Sequence, residues 1–438
     1  MAILNSICNV VWGAPMLTLF LFTALRFSFK SRFFQIRKFP YIIKNTIGSS
    51  FNLRNGGISE FSAFCSVLGA CIGTGNIVGV ATALYSGGPG VVFWMWISAI
   101  FSMMTSYAEN YLGASYHIKD SLGRLCSGAF AYIEKGVKMK YLAKIYALFS
   151  IASAIGMGNL TQSNSFSDSI KNTFGISMYV SGGICAILCF MVIWGGIKRI
   201  AKFQTVCVPV MSFIYLTLSL TILLNFKENI VPSVILILRE AFSLRSLKGY
   251  GIYKAMQYGI SRGVFSNESG LGSSTLLHAE ANIPDGKKQG MWAIAEVFTD
   301  TVFMCTLTAL VILVSTKSSY TTLFGAELST AAYSSLGNWG AKAIGVLTSV
   351  FAFTSLTGCS FYGEKSLQYL THKKTSKIYK IVYAIIVFIG CTNPPKIIWT
   401  VADICNGLMA LPNLFAINVL GSKVEYKKKN NSTVDTVE

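Results

Sequence analysis

The chain has 438 residues, 53% of them hydrophobic and only 13% charged, with a net charge of +19 and a mean hydropathy of +0.54. A soluble domain carries about a quarter charged residues; half that share, set among long apolar runs, places the chain with polytopic membrane proteins. The basic residues lie between the apolar runs and form no stripe interleaved with aromatics, which argues against nucleic-acid binding, and the 11 cysteines show no Cys-x-x-Cys spacing for metal or redox chemistry.

A bilayer crossing needs ~20 mostly apolar residues. In chain order such stretches fall at 7–28, 60–84, 89–114, 141–164, 177–197, 203–225, 252–279, 289–315, 341–370, 376–391 and 396–420. They predict an all-α membrane protein of about 11 transmembrane helices, with a single membrane domain over 1–438. The first run has no basic start and no clear cleavage site, so it reads as a retained span. Outside the spans, Phe33–Lys44 and Val231–Leu247 read as interfacial helices. In alternate loops, 27 of the 37 Lys and Arg residues fall in one set and nine in the other, with Arg262 inside a span. The positive-inside rule then puts the N-terminus outside and the C-terminus, with the basic tail 421–438, in the cytoplasm.

Two spans are interrupted. Residues 69–80 read GACIGTGNIVGV, with Gly73, Thr74, Gly75 and Asn76 deep in an apolar run. The Gly spacing fails the dinucleotide-loop pattern, while Gly75-x-x-x-Gly79 leaves close helix packing open as an alternative. A broken helix in lipid leaves N–H and C=O groups without partners and is tolerated only where protein or water covers it. Its half-helix ends then offer N–H groups to an anion and carbonyls to a cation. The second interruption is SRGVFSNESGLGSST at 261–275, where Arg262 and Glu268 are ionisable groups at membrane depth. Whether these two serve function or a salt bridge across the break stays open. With the first span set aside, ten remain, 60–225 and 252–420, and each set of five begins with an interrupted span. That is the sequence mark of an inverted-repeat transporter with a midplane site.

At these residues the chain resembles the alanine or glycine:cation symporters, the sodium:alanine symporter family. GTGNIVGVATALYSGGPGVVFWMWISA at 73–99 and RGVFSNESGLGSS at 262–274 are similar to its signature blocks, as are GGIKRIAKF at 195–203, YGEKSLQYL at 362–370 and NGLMALPNL at 406–414. The resemblance implies a leucine-transporter-like fold, five plus five inverted spans after one extra N-terminal helix. It also implies import of a small neutral amino acid coupled to sodium by alternating access. A larger neutral amino acid with sodium or proton coupling, and a passive channel, are the alternatives. No enzyme chemistry is expected: no His lies mid-span and there is no His-Glu-x-x-His.

For the substrate, the amides near Thr74, Gly75 and Asn76 suit a carboxylate, and the carbonyls around Phe265, Ser266 and Asn267 suit an ammonium, without burying a full protein charge. Phe265 would cover the side-chain pocket. By resemblance Gln162, Ser355 and Cys359 also reach the substrate. The resemblance implies a Trp where this chain has Cys359, and the smaller residue would admit a larger side chain. The shared architecture further implies sodium ligands from the carbonyls of Cys71, Thr74 and Phe351 and the hydroxyls of Thr354 and Ser355. Back-bonding to the preceding turn is the alternative for those hydroxyls. Glu109, Asp300, Glu364 and Asp403 are given structural duties, and His117, His278 and His372 are read as exposed groups at cytoplasmic ends. The protein is expected to be a monomer in a bacterial inner membrane, with lipid as its surroundings and no nucleic-acid partner.

Overall fold

The computed structural model describes residues 2–49, 59–119, 125–243, 251–280, 285–316, 319–371, 376–393 and 395–426. Arg54, Arg124, Arg245, Lys248, Lys317, Lys373, Lys374 and Lys427–Lys429, used in the loop-charge reading, lie outside them, as does His372, read as exposed.

Helices dominate. The chain opens with α1 (Ala2–Val11) and α2 (Ala14–Lys30), joined at Gly13, with Pro15 in the first turn of α2, where its missing N–H costs nothing. Two short helices follow, α3 (Phe34–Arg37) and α4 (Phe39–Asn45). Ser59 caps α5 (Glu60–Cys71) by accepting the Ser62 N–H at 3.1 Å. The helix breaks at Ile72–Gly73, resumes through a π-helical turn at Gly75–Gly79 and continues as α6 (Val80–Gly87), bent by 47°. After α7 (Val91–Ser115) comes a hairpin of β1 (His117–Lys119) and β2 (Leu125–Ser127), antiparallel with Ile118 opposite Cys126, then the short α8 (Ala129–Ala131).

Next, α9 (Lys140–Ile155) and α10 (Gln162–Phe174) form one 35-residue rod through a π-helical turn at Gly156–Thr161. The expected span stopped at Asn164; the helix runs ten residues further and ends at Gly175, whose φ of 70° supplies the left-handed cap. Then come α11 (Met178–Trp194), α12 (Gly196–Asn225), α13 (Ile230–Ala241) and α14 (Ile252–Asn267). The second break spans Glu268–Ser273, where Glu268, Gly270 and Gly272 all have positive φ, before α15 (Ser274–His278). Asp285 caps α16 (Gly286–Val297), which joins α17 (Thr306–Thr316) through a π-helical stretch at Phe298–Cys305. An unexpected α18 (Ala326–Tyr333) precedes α19 (Asn338–Thr371), α20 (Ser376–Thr392) and α21 (Pro395–Val419).

Among the described residues, seven helical runs are long and apolar enough to cross a membrane, and the bent pair α5–α6 makes an eighth. The outer surface is apolar: Leu148, Ile187, Phe213, Leu224, Ile381 and Phe415 are exposed. The interior is unusually polar, holding Asn76, Gln162, Asn267, Glu268, Glu296 and Asp300 at 3% exposure or less. Apolar outside and polar inside is the pattern of a protein dissolved in lipid around a functional interior.

Candidate functional site

The two breaks meet. A β-carbon added to Gly75 would sit 3.5 Å from the Phe265 ring and 3.6 Å from Ser266 Cα, so the start of the resumed first helix abuts the C-terminal end of α14. The first turn of a helix leaves its N–H groups without intrahelical partners, and the last turn does the same with its carbonyls. The opposite partial charges of these ends therefore face each other across the gap left by the missing glycine side chain.

Side chains from other elements complete the first break. Gln162 Oε1 accepts the Thr74 N–H at 3.2 Å and the Thr74 hydroxyl at 3.0 Å. The Asn76 side chain turns back to accept the Gly73 N–H at 3.2 Å. Its amide group donates to Asp300 Oδ1 at 2.8 Å. From the second break, the Ser266 hydroxyl donates to Asp300 Oδ2 at 2.7 Å. One carboxylate thus grips both interruptions. Asp300 was visible as a charge inside an apolar run, and the rule that intramembrane ionisable residues default to function would have singled it out. Each of Asn76, Gln162 and Asp300 lies in, or directly after, a π-helical turn. Such turns add a residue per turn and re-aim side chains, and they cluster at functional sites.

Several expected residues are engaged differently. Asn267 uses its oxygen to accept the Ser269 N–H at 3.0 Å and its amide to reach the Thr301 hydroxyl at 3.0 Å, holding the turn of the second break. The Thr354 hydroxyl folds back onto the Phe351 carbonyl at 2.9 Å, the back-bonding alternative. The Ser355 hydroxyl does cross to the first broken helix, but it meets the Gly69 carbonyl at 3.2 Å, two residues before Cys71. Gly73 allows this approach, because a β-carbon there would clash with the Ser355 hydroxyl, while one on Gly69 would press on Gln204 at 2.9 Å. The Cys71 thiol faces Glu296 Oε1 at 3.2 Å. Cys359 packs so closely on Gly158 that an added β-carbon would clash with Cys359 Cβ, and its thiol lies 4.0 Å from Glu268 Oε1.

The charged groups also rearrange the expectation. Arg262 does not bridge to Glu268; it pairs with Asp403 in α21, with contacts of 3.2 and 2.6 Å to the two carboxylate oxygens. The guanidinium lies over the rings of Phe265 and Trp399, 5.3 and 5.5 Å from their centroids, and those rings stack at 5.2 Å. This layer covers one side of the meeting point. His278 is buried, not exposed, and contacts Glu296 Oε2 at 3.1 Å. Glu109 is tied to Asn413, and Glu364 to Lys380 at 3.3 Å.

A family model described as the sodium:alanine symporter family matches residues 1–435. An uncharacterized transporter of Haemophilus influenzae is 39% identical, over 95% of this chain and 92% of its own. The sodium/alanine symporter AgcS of Methanococcus maripaludis is 36% identical, over 98% of this chain and 96% of its own. A Bacillus subtilis protein named as a probable sodium/glutamine symporter, GlnT, is 33% identical over 98% and 91%. Among solved structures, MhsT in complex with L-phenylalanine superposes with a TM-score of 0.65 at 14% identity, covering 85% of this chain and 91% of that one. A sodium-coupled sialic acid symporter gives 0.53 at 13% identity, over 95% and 84%. At those identities the likeness to solved structures is one of fold.

Proposed function

The chain belongs to the sodium:alanine symporter family, and on that footing we propose that it imports a small neutral amino acid, alanine or glycine in the first instance, together with sodium. Family membership already makes it a cation-coupled amino-acid transporter of the membrane rather than an enzyme. The finer reading is supported by one observation: the N-terminal end of one half-helix lies against the C-terminal end of another at Gly75 and Ser266. A zwitterion is the solute whose two charges match two such ends a few ångströms apart. Its carboxylate would take the amides at Thr74–Asn76, displacing the Gln162 carbonyl from the Thr74 N–H. Its ammonium would take the carbonyls of Phe265, Ser266 and Asn267. Neutral dipoles do this without an unpaired protein charge, whose burial is costly.

Sodium prefers hard oxygen ligands. The contact of Ser355 with Gly69 supports a site there, with Gly69 supplying the first-helix carbonyl in place of Cys71. Thr354 and the carbonyl of Phe351 complete it once Thr354 lets go of its own helix. Asp300 is a positioning residue, holding Asn76 and Ser266 in register. In this reading 60–225 and 252–420 are inverted repeats after an extra N-terminal helix, and the whole crosses the cytoplasmic membrane of a bacterium eleven times as a monomer. The N-terminus lies outside and the C-terminus inside. The Arg262–Asp403 layer with Phe265 and Trp399 then closes the outer path, and alternating access requires it to part.

The test is uptake of labelled alanine into vesicles, with and without an inward sodium gradient, in competition with each common amino acid. Concentrative uptake that collapses without sodium, and is competed by small neutral amino acids alone, is the expected result. Uptake that never exceeds equilibrium would favour a passive channel, and competition by large side chains would shift the substrate class.

A further inference from the structure

The second break carries a buried carboxylate that the proposed pocket does not use. Glu268 is 1% exposed and sits at the C-terminal end of α14, where the helix already presents negative partial charge. Its Oε2 accepts the Ser273 hydroxyl at 2.5 Å, and the Cys359 thiol lies 4.0 Å from Oε1. The charged groups that act on it are Glu296 and Asp300, both carboxylates. The cations nearby are committed elsewhere: Arg262 to Asp403, and His278 to Glu296. An ionised carboxylate taken out of water without a counter-charge is strongly unfavourable.

A small cavity of about 10 Å³ opens beside it, the size of a single water-like particle. Glu268, Ser273, Ser153, Cys359 and Tyr362 line it. The Tyr362 hydroxyl is buried there and makes no well-formed hydrogen bond among the described residues. The Tyr362 hydroxyl meets the neighbouring Glu268 carboxylate only loosely, so both groups are left under-satisfied and call for a third partner between them. The contact of Ser355 with Gly69 lies one helical turn from Cys359 along α19, ~6 Å by helix rise, so this is a separate place.

We propose that Glu268, Ser273 and Tyr362 form a second cation site, for one small monovalent cation of the size of sodium, on the side of the breaks that faces the cytoplasm. The ion neutralises Glu268 and draws the second broken helix against α19 through Tyr362. This rests on the cation-coupled reading above.

The experiment uses the full chain, purified and reconstituted, with equilibrium binding of radioactive sodium and, in parallel, the charge moved per alanine in vesicles. Glu268→Gln is expected to bind one sodium fewer per protein than the wild type and to move one charge fewer per alanine. Tyr362→Phe is expected to keep the ion count with sodium affinity weakened roughly 3–10-fold. Glu268→Gln with the wild-type ion number and affinity overturns the proposal. So does an unchanged sodium number with one proton fewer moved per alanine, which would mean that a proton neutralises Glu268. Should Glu268→Gln fail to fold, an unaltered sodium affinity in Tyr362→Phe overturns it alone. Wild-type vesicles without sodium-driven uptake would instead break the functional reading itself, so the two failures are separable.

Discussion

The two breaks solve the same problem by different means. The first is short: Ile72 and Gly73 leave the helix, no residue adopts positive φ, and the helix resumes on a course bent by 47°. Its loose ends are covered by neutral side chains, Gln162, Asn76 and Ser355. The second is a true turn of six residues, Glu268–Ser273, with positive φ at Glu268, Gly270 and Gly272, pinned by Asn413 donating to the Gly270 carbonyl at 2.8 Å. Charge gathers around the second: Arg262 before it, Glu268 within it. Apart from the Asp300 carboxylate that both breaks share, the first break is small and lined by neutral groups, which under the proposed reading makes it the opening for the ligand, while the second is a pinned turn that carries more of the charge. If so, glycine substitutions in the second should harm folding, and in the first, transport.

The largest effect is expected at Gly270→Ala. Its φ of 87° and a β-carbon 2.4 Å from the Phe20 ring cost the folded state about 2–4 kcal/mol. Loss of folded protein, read as thermal unfolding in detergent, checks it; normal stability would erase the contrast. Next is Gly75→Leu, which keeps the fold but fills the gap before Phe265 and Ser266. Uptake should fall at least about 100-fold with normal insertion, and unchanged uptake would remove the site from the first break. Third is Asp300→Asn, which removes the charged acceptor shared by Asn76 and Ser266. A fall of about 10–100-fold in uptake is expected from losing charge-assisted bonds; a neutral result would make the clamp ornamental. The smallest effect sharpens the sodium reading. Ser355→Ala should raise the sodium needed for half-maximal uptake by about 5–10-fold, and Thr354→Val by less, because Thr354 is back-bonded to Phe351. The reverse order would restore Thr354 as the leading ligand.

Both interruptions were legible because Gly, Asn and Ser stand out in an apolar run, and their positions on the chain agree with the breaks at 72–73 and 268–273. Gln162 was legible only through the resemblance, since an amide near a helix end has many uses. What was missed depends on distance along the chain. The Arg262–Asp403 pair joins residues 141 apart, and the nearer Glu268 was the natural partner to weigh. Gly69 was passed over because backbone carbonyls leave no residue signature. His278 looked exposed because α15 is only five residues long and its sequence does not tell that α16 covers it. The strand pair at 117–119 and 125–127 and α18 lack the long apolar runs on which the reading relied.

The stacking of Phe265 on Trp399 has a practical consequence. Phe265 borders the place where the ligand would settle, and Trp399 shares its ring face with the Arg262 guanidinium, a fixed charge whose displacement shifts an indole's emission. Of the seven tryptophans, this one stacks on Phe265 and so would report on the proposed binding event. A variant keeping Trp399 alone would carry its own optical readout, with emission colour and intensity following each arrival and departure without any attached label.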